Sequence, residues 1–327
     1  MKILVTGAAG FIGSYVAQLL ANKGAEVTAI DNLNDYYSPS LKELRIENFL
    51  RETNFINIDI ANREDVERIF KNSNFDVVLN LAAQAGVRLE PQDFHKYTDS
   101  NLVGFQNIIS HSVANGVKNF IYASSSSVYG NSSKTPYSEL DKELSPISYY
   151  GATKLSNEQS AHAITRNTNT KSRGLRLFTV YGPWGRPDMA YFRIAKSLIL
   201  DQNFKLYGDG TLRRDFTYVD DASQSILLLI ENLTETNDRI SDVVNVGGGN
   251  VYAINQLIDV LNEISKKKLS VTRRPQVNTD VLQTSADGSY LEQLTGKIPS
   301  TKLEKGLLST YKWMSEEVDP EKLRLWT

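Results

Sequence analysis

The sequence contains no cysteine. Disulfides, thiolate catalysis and cysteine-ligated metals are therefore excluded, and a reducing compartment suits the chain. Histidine is scarce: His95, His111 and His162 lie far apart and form no metal-ligand spacing, so no metal site is expected. Charge of one sign is missing as well, since 36 Lys+Arg face 38 Asp+Glu for a net of −2. A nucleic-acid partner calls for a basic field that this composition does not supply, and any anionic ligand must be held by local groups. Long apolar runs are also absent. Only Ile3, Leu4 and Val5 precede Thr6 and Gly7, too few for a signal segment, and no stretch approaches the roughly 18 apolar residues of a membrane span. A soluble, cytoplasmic protein is the expectation.

At 327 residues and 41% hydrophobic, the chain is long enough for one large domain or two lobes. Its first half alternates short β-branched runs with stretches of helical period. Strands are predicted at Lys2 to Thr6, Glu26 to Ile30, Asn54 to Ile58, Asp76 to Asn80, Asn119 to Ala123 and Gly174 to Phe178. Helices are predicted at Phe11 to Lys23, Arg63 to Lys71, Thr98 to Asn115 and Tyr149 to Arg166. Right-handed crossovers make this an α/β, Rossmann-type, doubly wound parallel sheet. After about Val180 turn chemistry takes over, until a helix from Asp220 to Leu233 and a strand at Val243 to Val246 return to the sheet. Residues 1–180 with about 215–250 are thus expected to form a dinucleotide-binding domain, and 181–214 with 251–327 a smaller, interleaved substrate lobe.

Thr6-Gly7-Ala8-Ala9-Gly10-Phe11-Ile12-Gly13 leaves a predicted strand and opens a predicted helix, the setting in which glycines let a backbone approach a pyrophosphate. The next strand ends at Asp31, 18 residues past Gly13, where a carboxylate can accept from a ribose 2′-OH and would repel a 2′-phosphate. NAD is accordingly expected over NADP, with Asn32 beside Asp31. Asp59 and Ile60 could contact the adenine edge, or Asp59 could cap the helix from Arg63. Leu81, Ala82 and Ala83 are small or apolar residues where a cofactor can pass close.

Tyr150 and Lys154 stand four apart, hence on one face of a helix. A phenol ionises near pH 10, so a tyrosine base at neutral pH needs a cation beside it, which Lys154 can supply. Upstream, Tyr122-Ala123-Ser124-Ser125-Ser126-Ser127-Val128-Tyr129-Gly130 places hydroxyls at the carboxyl end of the sheet, where such folds bind ligands.

Glycine loop, serine run and Tyr-x-x-x-Lys, in this order, resemble the extended short-chain dehydrogenase/reductases of nucleotide-sugar metabolism along nearly the whole chain. The resemblance implies Tyr150 as base toward the sugar 4-OH, Ser125 as the hydroxyl that relays or orients the proton, and tightly held NAD. Within that family, Asn80-Leu81-Ala82-Ala83-Gln84-Ala85-Gly86-Val87-Arg88 and Phe178-Thr179-Val180-Tyr181-Gly182-Pro183-Trp184-Gly185-Arg186-Pro187-Asp188-Met189-Ala190 are similar to UDP-glucuronate 4-epimerases. A 4-ketohexuronic acid loses CO₂ unless its carboxylate is held away from the decarboxylating geometry. Ser126, Ser127 and Thr179 are candidate hydroxyl donors to it, with Arg186 or Arg88 as cation. For the UDP moiety the resemblance implies Arg214 at the pyrophosphate, Lys205 and Tyr207 near uracil and Asp280 at ribose, although Arg274-Pro275-Gln276-Val277 departs from the usual string there. Asn80 replaces a histidine common in the subgroup. A homodimer pairing the helices near 98–115 and 149–166 is also implied. The alternatives are a neutral UDP-hexose or UDP-N-acetylhexosamine 4-epimerase, a UDP-glucuronate decarboxylase and, from another class, a non-catalytic NAD sensor. A 4,6-dehydratase needs carboxyl groups where Ser126 and Ser127 stand.

Overall fold

In the computed structural model, which describes residues 1–276 and 281–326, the chain builds a seven-stranded parallel sheet. Its strands are β1 (Lys2–Thr6), β2 (Glu26–Asp31), β3 (Asn54–Asn57), β4 (Val77–Asn80), β5 (Asn119–Ser125), β6 (Lys171–Leu177) and a seventh at Ser241–Val246. The spatial order runs from the seventh strand through β6, β5, β4, β1 and β2 to β3. The chain first winds outward from β1 to β3, then crosses back to β4 on the other side of β1. Ligands of such sheets bind outside the carboxyl ends of the strands at this reversal. There β1 hands over to the glycine loop, and β4 to Leu81-Ala82-Ala83.

Central strands read as unbroken buried runs: every residue of Val77–Asn80 is buried, as is expected when helices cover both faces. One face carries Phe11–Asn22 and Val219–Glu235 over Ile3, Val5, Leu79 and Val244. The other packs Phe70, Phe105 and Ile108 on Leu4, Val78 and Phe120.

Two smaller sheets form the lobe. Thr179–Tyr181 runs parallel to Arg213–Tyr218, which pairs antiparallel with Val251–Ala253. Phe204–Tyr207 pairs parallel with Val271–Arg274. Helix Ser289–Thr295, late in the chain, returns to the main core through Leu291.

A helix at Pro39–Phe49 departs from the patterning, which assigns no element there. Its inward positions include Lys42 and Arg45, so the apolar period is broken by buried polar groups. Ser38-Pro39, with proline at the first helical position, is the local signal for its start. The helix expected from Thr98 begins at Phe94 and widens into a π-helix at Thr98–Gly104 before continuing as Phe105–Ala114. Among the described residues no helix is long and apolar enough to cross a membrane.

Candidate active site

A cleft of about 1130 Å³ lies between the carboxyl ends of the central strands and the lobe. Gly7 (φ +68°) leaves β1 in the left-handed region, and a Cβ there would sit 2.7 Å from the Ala82 nitrogen. At Gly13 a Cβ would run into the Gly7 carbonyl. Loop, helix start and the Leu81–Ala83 stretch are thus in backbone contact, and Gly10, Phe11 and Ile12 line the cleft with them. Ala82 N–H is anchored by Thr6 Oγ1 at 3.0 Å, and that hydroxyl donates to Asn80 Oδ1 at 2.5 Å. Asn80, in place of a histidine, therefore packs beneath the loop.

Asp31 ends β2 nearly buried, accepting from Ala9 N–H at 3.2 Å and Leu33 N–H at 2.9 Å. Asn32 donates to Asp59 Oδ2 at 2.9 Å, while Asp59 Oδ1 accepts from Ala61 N–H at 2.8 Å. Asp59 does not cap the following helix: Asn62 Oδ1 does, accepting from Glu64 and Asp65 N–H. Asp59 is left as an organiser of the Asn32 side, and Ile60 lines the cleft beside it.

Helix Tyr149–Thr165 starts at Ser148, whose hydroxyl accepts from Gly151 N–H at 3.1 Å. It aims Tyr150 and Lys154 into the cleft. Lys154 is 2% exposed, donates to the Ala123 carbonyl at 2.9 Å and lies 5.7 Å from the Tyr150 ring centre. Burial without a carboxylate partner lowers its pKa from 10.5 to about 8. The Tyr150 phenol is pushed up by burial, against which the Arg186 charge and a hydrogen bond with Ser125 work. Ser125 Oγ also accepts from Ser127 N–H and donates to Ser127 Oγ, both at 3.1 Å.

Ser126, Ser127, Thr179 and Arg186 line this same cleft. Arg186 is not a bare cation. Asp188 takes its Nε at 3.0 Å and one terminal nitrogen at 2.6 Å, and also accepts from the Tyr36 hydroxyl at 3.3 Å. Burial disfavours both charges, yet their pairing dominates, holding the guanidinium above its ordinary range and the Asp188 carboxyl below. The second terminal nitrogen of Arg186 takes no part in these bonds. Arg88 stacks on Tyr207 across the cleft, 5.6 Å from its ring centre, and Lys205 and Arg214 line the same wall. Asp280 lies outside the described residues.

Three supports escape sequence patterning. Asn101, on the π-helix, donates to Thr153 Oγ1 and the Gln84 carbonyl and accepts from Gln84 N–H at 2.8 Å, tying the loop after β4 to the helix that carries Tyr150 and Lys154. Tyr97, packed 6.0 Å from Tyr150, donates to the Gly86 carbonyl at 2.7 Å. Glu158, one turn past Lys154, takes a bidentate Arg176 fork at 2.8 and 2.9 Å and the Ser124 hydroxyl at 2.5 Å, locking helix to β5 beside Ser125. The π-helical widening is the kind of irregularity that gathers at functional sites.

Residues 3–247 match the model of the NAD dependent epimerase/dehydratase family. Protein CapI of Staphylococcus aureus is 38% identical over 97% of this chain and 99% of its own. A UDP-glucuronate 4-epimerase of Thermodesulfobacterium geofontis is 37% identical, over 97% of each chain. The crystal structure of UDP-glucuronic acid 4-epimerase from Bacillus cereus, in complex with UDP-glucuronic acid and NAD, superposes with a TM-score of 0.89 at 37% identity, covering 97% of this chain and 100% of that one. With the glycine cradle, the tyrosine–lysine pair on one helix face and these likenesses together, the chain belongs to the NAD dependent epimerase/dehydratase family.

Proposed function

We propose that the protein interconverts UDP-glucuronate and UDP-galacturonate through a transient 4-keto sugar, using tightly bound NAD. The observation that carries this reading is the placement of Ser126, Ser127, Thr179 and Arg186 in one cleft with Tyr150, Lys154 and Ser125. It gives a single sugar both a base at C4 and a polar clamp for a carboxylate. The relatives named UDP-glucuronate 4-epimerase support it.

The loop at 7–13, Asp31 and residues 81–83 fit a dinucleotide: the glycines leave no room for side chains, and the acceptor at Asp31 suits a 2′-hydroxyl. When bound, NAD supplies the oxidising and reducing equivalent at C4. Tyr150 takes the proton of the 4-hydroxyl, Ser125 orients it, and Lys154 stabilises the phenolate across the shared face of the helix. Uronate oxygens accept from the three hydroxyls and from the terminal nitrogen of Arg186 that Asp188 does not take. That grip keeps the C5–C6 bond out of line with the keto group, so the acid survives until the keto carbon is reduced on its opposite face. Arg214, Lys205 and Tyr207 hold the UDP portion on the lobe. A paired second chain along the helices near 98–115 and 149–166, and a cytoplasmic setting, belong to the same reading; light scattering tests the pairing.

The test is proton NMR of UDP-glucuronate incubated with the purified protein and no added NAD. UDP-galacturonate supports the proposal. A UDP-pentose as main product moves the assignment to decarboxylation, and turnover of only UDP-glucose or UDP-N-acetylglucosamine overturns the substrate.

A further inference from the structure

Arg45 is the one fully buried arginine on the helix at 39–49, and its five hydrogen bonds all go to uncharged oxygens. Its Nε and one terminal nitrogen converge on the Trp184 carbonyl at 3.0 and 2.7 Å, and that nitrogen also reaches the Gly185 carbonyl at 3.0 Å. The other terminal nitrogen donates to the Ala9 carbonyl at 3.1 Å and the Tyr37 hydroxyl at 2.6 Å. Among the described residues no carboxylate bonds to it. A buried cation kept without an anionic partner is costly, so structure alone is a weak reason for it.

Its contacts say what it joins. Ala9 lies in the glycine loop, and Trp184 and Gly185 immediately precede Arg186. Trp184 has φ +59°, a left-handed conformation that a bulky side chain adopts only when its surroundings impose it. Arg45 holds the carbonyl of this residue with two donors, while the Trp184 ring packs 5.5 Å from Phe49 and 5.0 Å from Trp313. The Tyr15 hydroxyl, on the helix that the glycine loop opens, donates to the Pro183 carbonyl at 3.1 Å. The Arg186 backbone is thereby referenced to the dinucleotide loop through one guanidinium.

We infer that Arg45 is a positioning residue for uronate recognition: by fixing the 184–185 carbonyls against Ala9, it sets where Arg186 meets the sugar carboxylate. This rests on the reading of Arg186 as the uronate cation. Lysine cannot substitute, because one ammonium cannot span acceptors that the planar fork reaches from three nitrogens.

Arg45→Lys, Tyr37→Phe and Arg186→Ala are to be compared with wild type for retained NAD, KM and kcat with UDP-glucuronate, and the fraction of substrate released as CO₂. Binding of UDP-glucuronate is measured separately by calorimetry in a Tyr150→Phe background. For Arg45→Lys the expectation is unchanged NAD content, kcat within a fewfold, KM and Kd raised about tenfold, and a larger CO₂ fraction, since a displaced charged donor loses about that much. Folded Arg45→Lys with wild-type KM, Kd and CO₂ fraction overturns the inference, as does a loss confined to kcat. If Arg45→Lys does not fold, Tyr37→Phe decides: it removes the 2.6 Å acceptor and should raise KM about threefold, and wild-type behaviour overturns the inference. Arg186→Ala with an unchanged KM and CO₂ fraction would instead remove the reading beneath it.

Discussion

Lys154 should weaken the fold while making the chemistry possible. Its ammonium is buried, with the Ala123 carbonyl its only hydrogen-bond acceptor among the described residues, and its pKa falls from 10.5 to about 8. At about 1.4 kcal/mol per pKa unit, keeping it charged at neutral pH costs about 3 kcal/mol of stability. The sign follows from proton counting. Between about pH 8 and 10.5 the unfolded chain holds the proton and the folded protein does not, so folded stability rises with pH in that window. Below about pH 8 the whole penalty is present, and above 10.5 it is gone. Lys154→Met removes the titration and keeps the bulk. The assay is urea unfolding of both proteins, with NAD bound, at several pH values from 7 to 10.5, reading only the difference between them so that other groups cancel. Wild type should gain about 3 kcal/mol on the variant across that range, while the variant loses at least a hundredfold in kcat at pH 7 for want of a cation beside the phenol. A difference that does not move with pH refutes the assignment of an uncompensated buried ammonium.

Tyr150→Phe removes the proton acceptor and should lower kcat by about 10²- to 10⁴-fold with NAD still bound, as seen by releasing and quantifying the nucleotide. Gly13→Ala forces a methyl into the Gly7 carbonyl, so the purified protein should carry little or no NAD although it remains folded by circular dichroism. Glu158→Gln leaves Arg176, 3% exposed, without its carboxylate, and chemical denaturation should show a loss of about 3–5 kcal/mol. Its kcat should fall too, because Ser124 and the catalytic helix lose their common anchor.

Much of the site was legible because its chemistry is local in sequence. The glycine loop needs only a strand, fixed spacing and a helix, and Tyr150 and Lys154 share a helix face through their four-residue separation alone. The carboxylate at the end of β2 follows from the same βαβ rhythm. Arg45 shows the opposite case. It meets residues at positions 9, 37, 184 and 185, and its buried polar side chain erases the apolar period that would have revealed its helix. Asp188 stood inside the string that singled out Arg186, two residues away, but only the fold turns the pair into a fork. Asn101 was hidden because a π-helical segment rotates side chains off the ordinary register. Strands of three residues, such as Thr179–Tyr181 and Val251–Ala253, carry too little pattern to be read without their partners.

The seventh strand of the main sheet, Ser241–Val246, reaches β6 only after the chain has made its excursion through Thr179–Tyr181, Phe204–Tyr207 and Arg213–Tyr218. A chain interrupted near residue 180 would carry β6, buried along five of its seven residues, as a raw edge with an unpaired hydrogen-bonding row. The dinucleotide-binding half is therefore not a transplantable cassette. Cutting the chain at that boundary should yield aggregates, and a working chimera must keep β6 and the strand at 241–246 in one parent while exchanging together the two pieces of the lobe that lie before and after that strand.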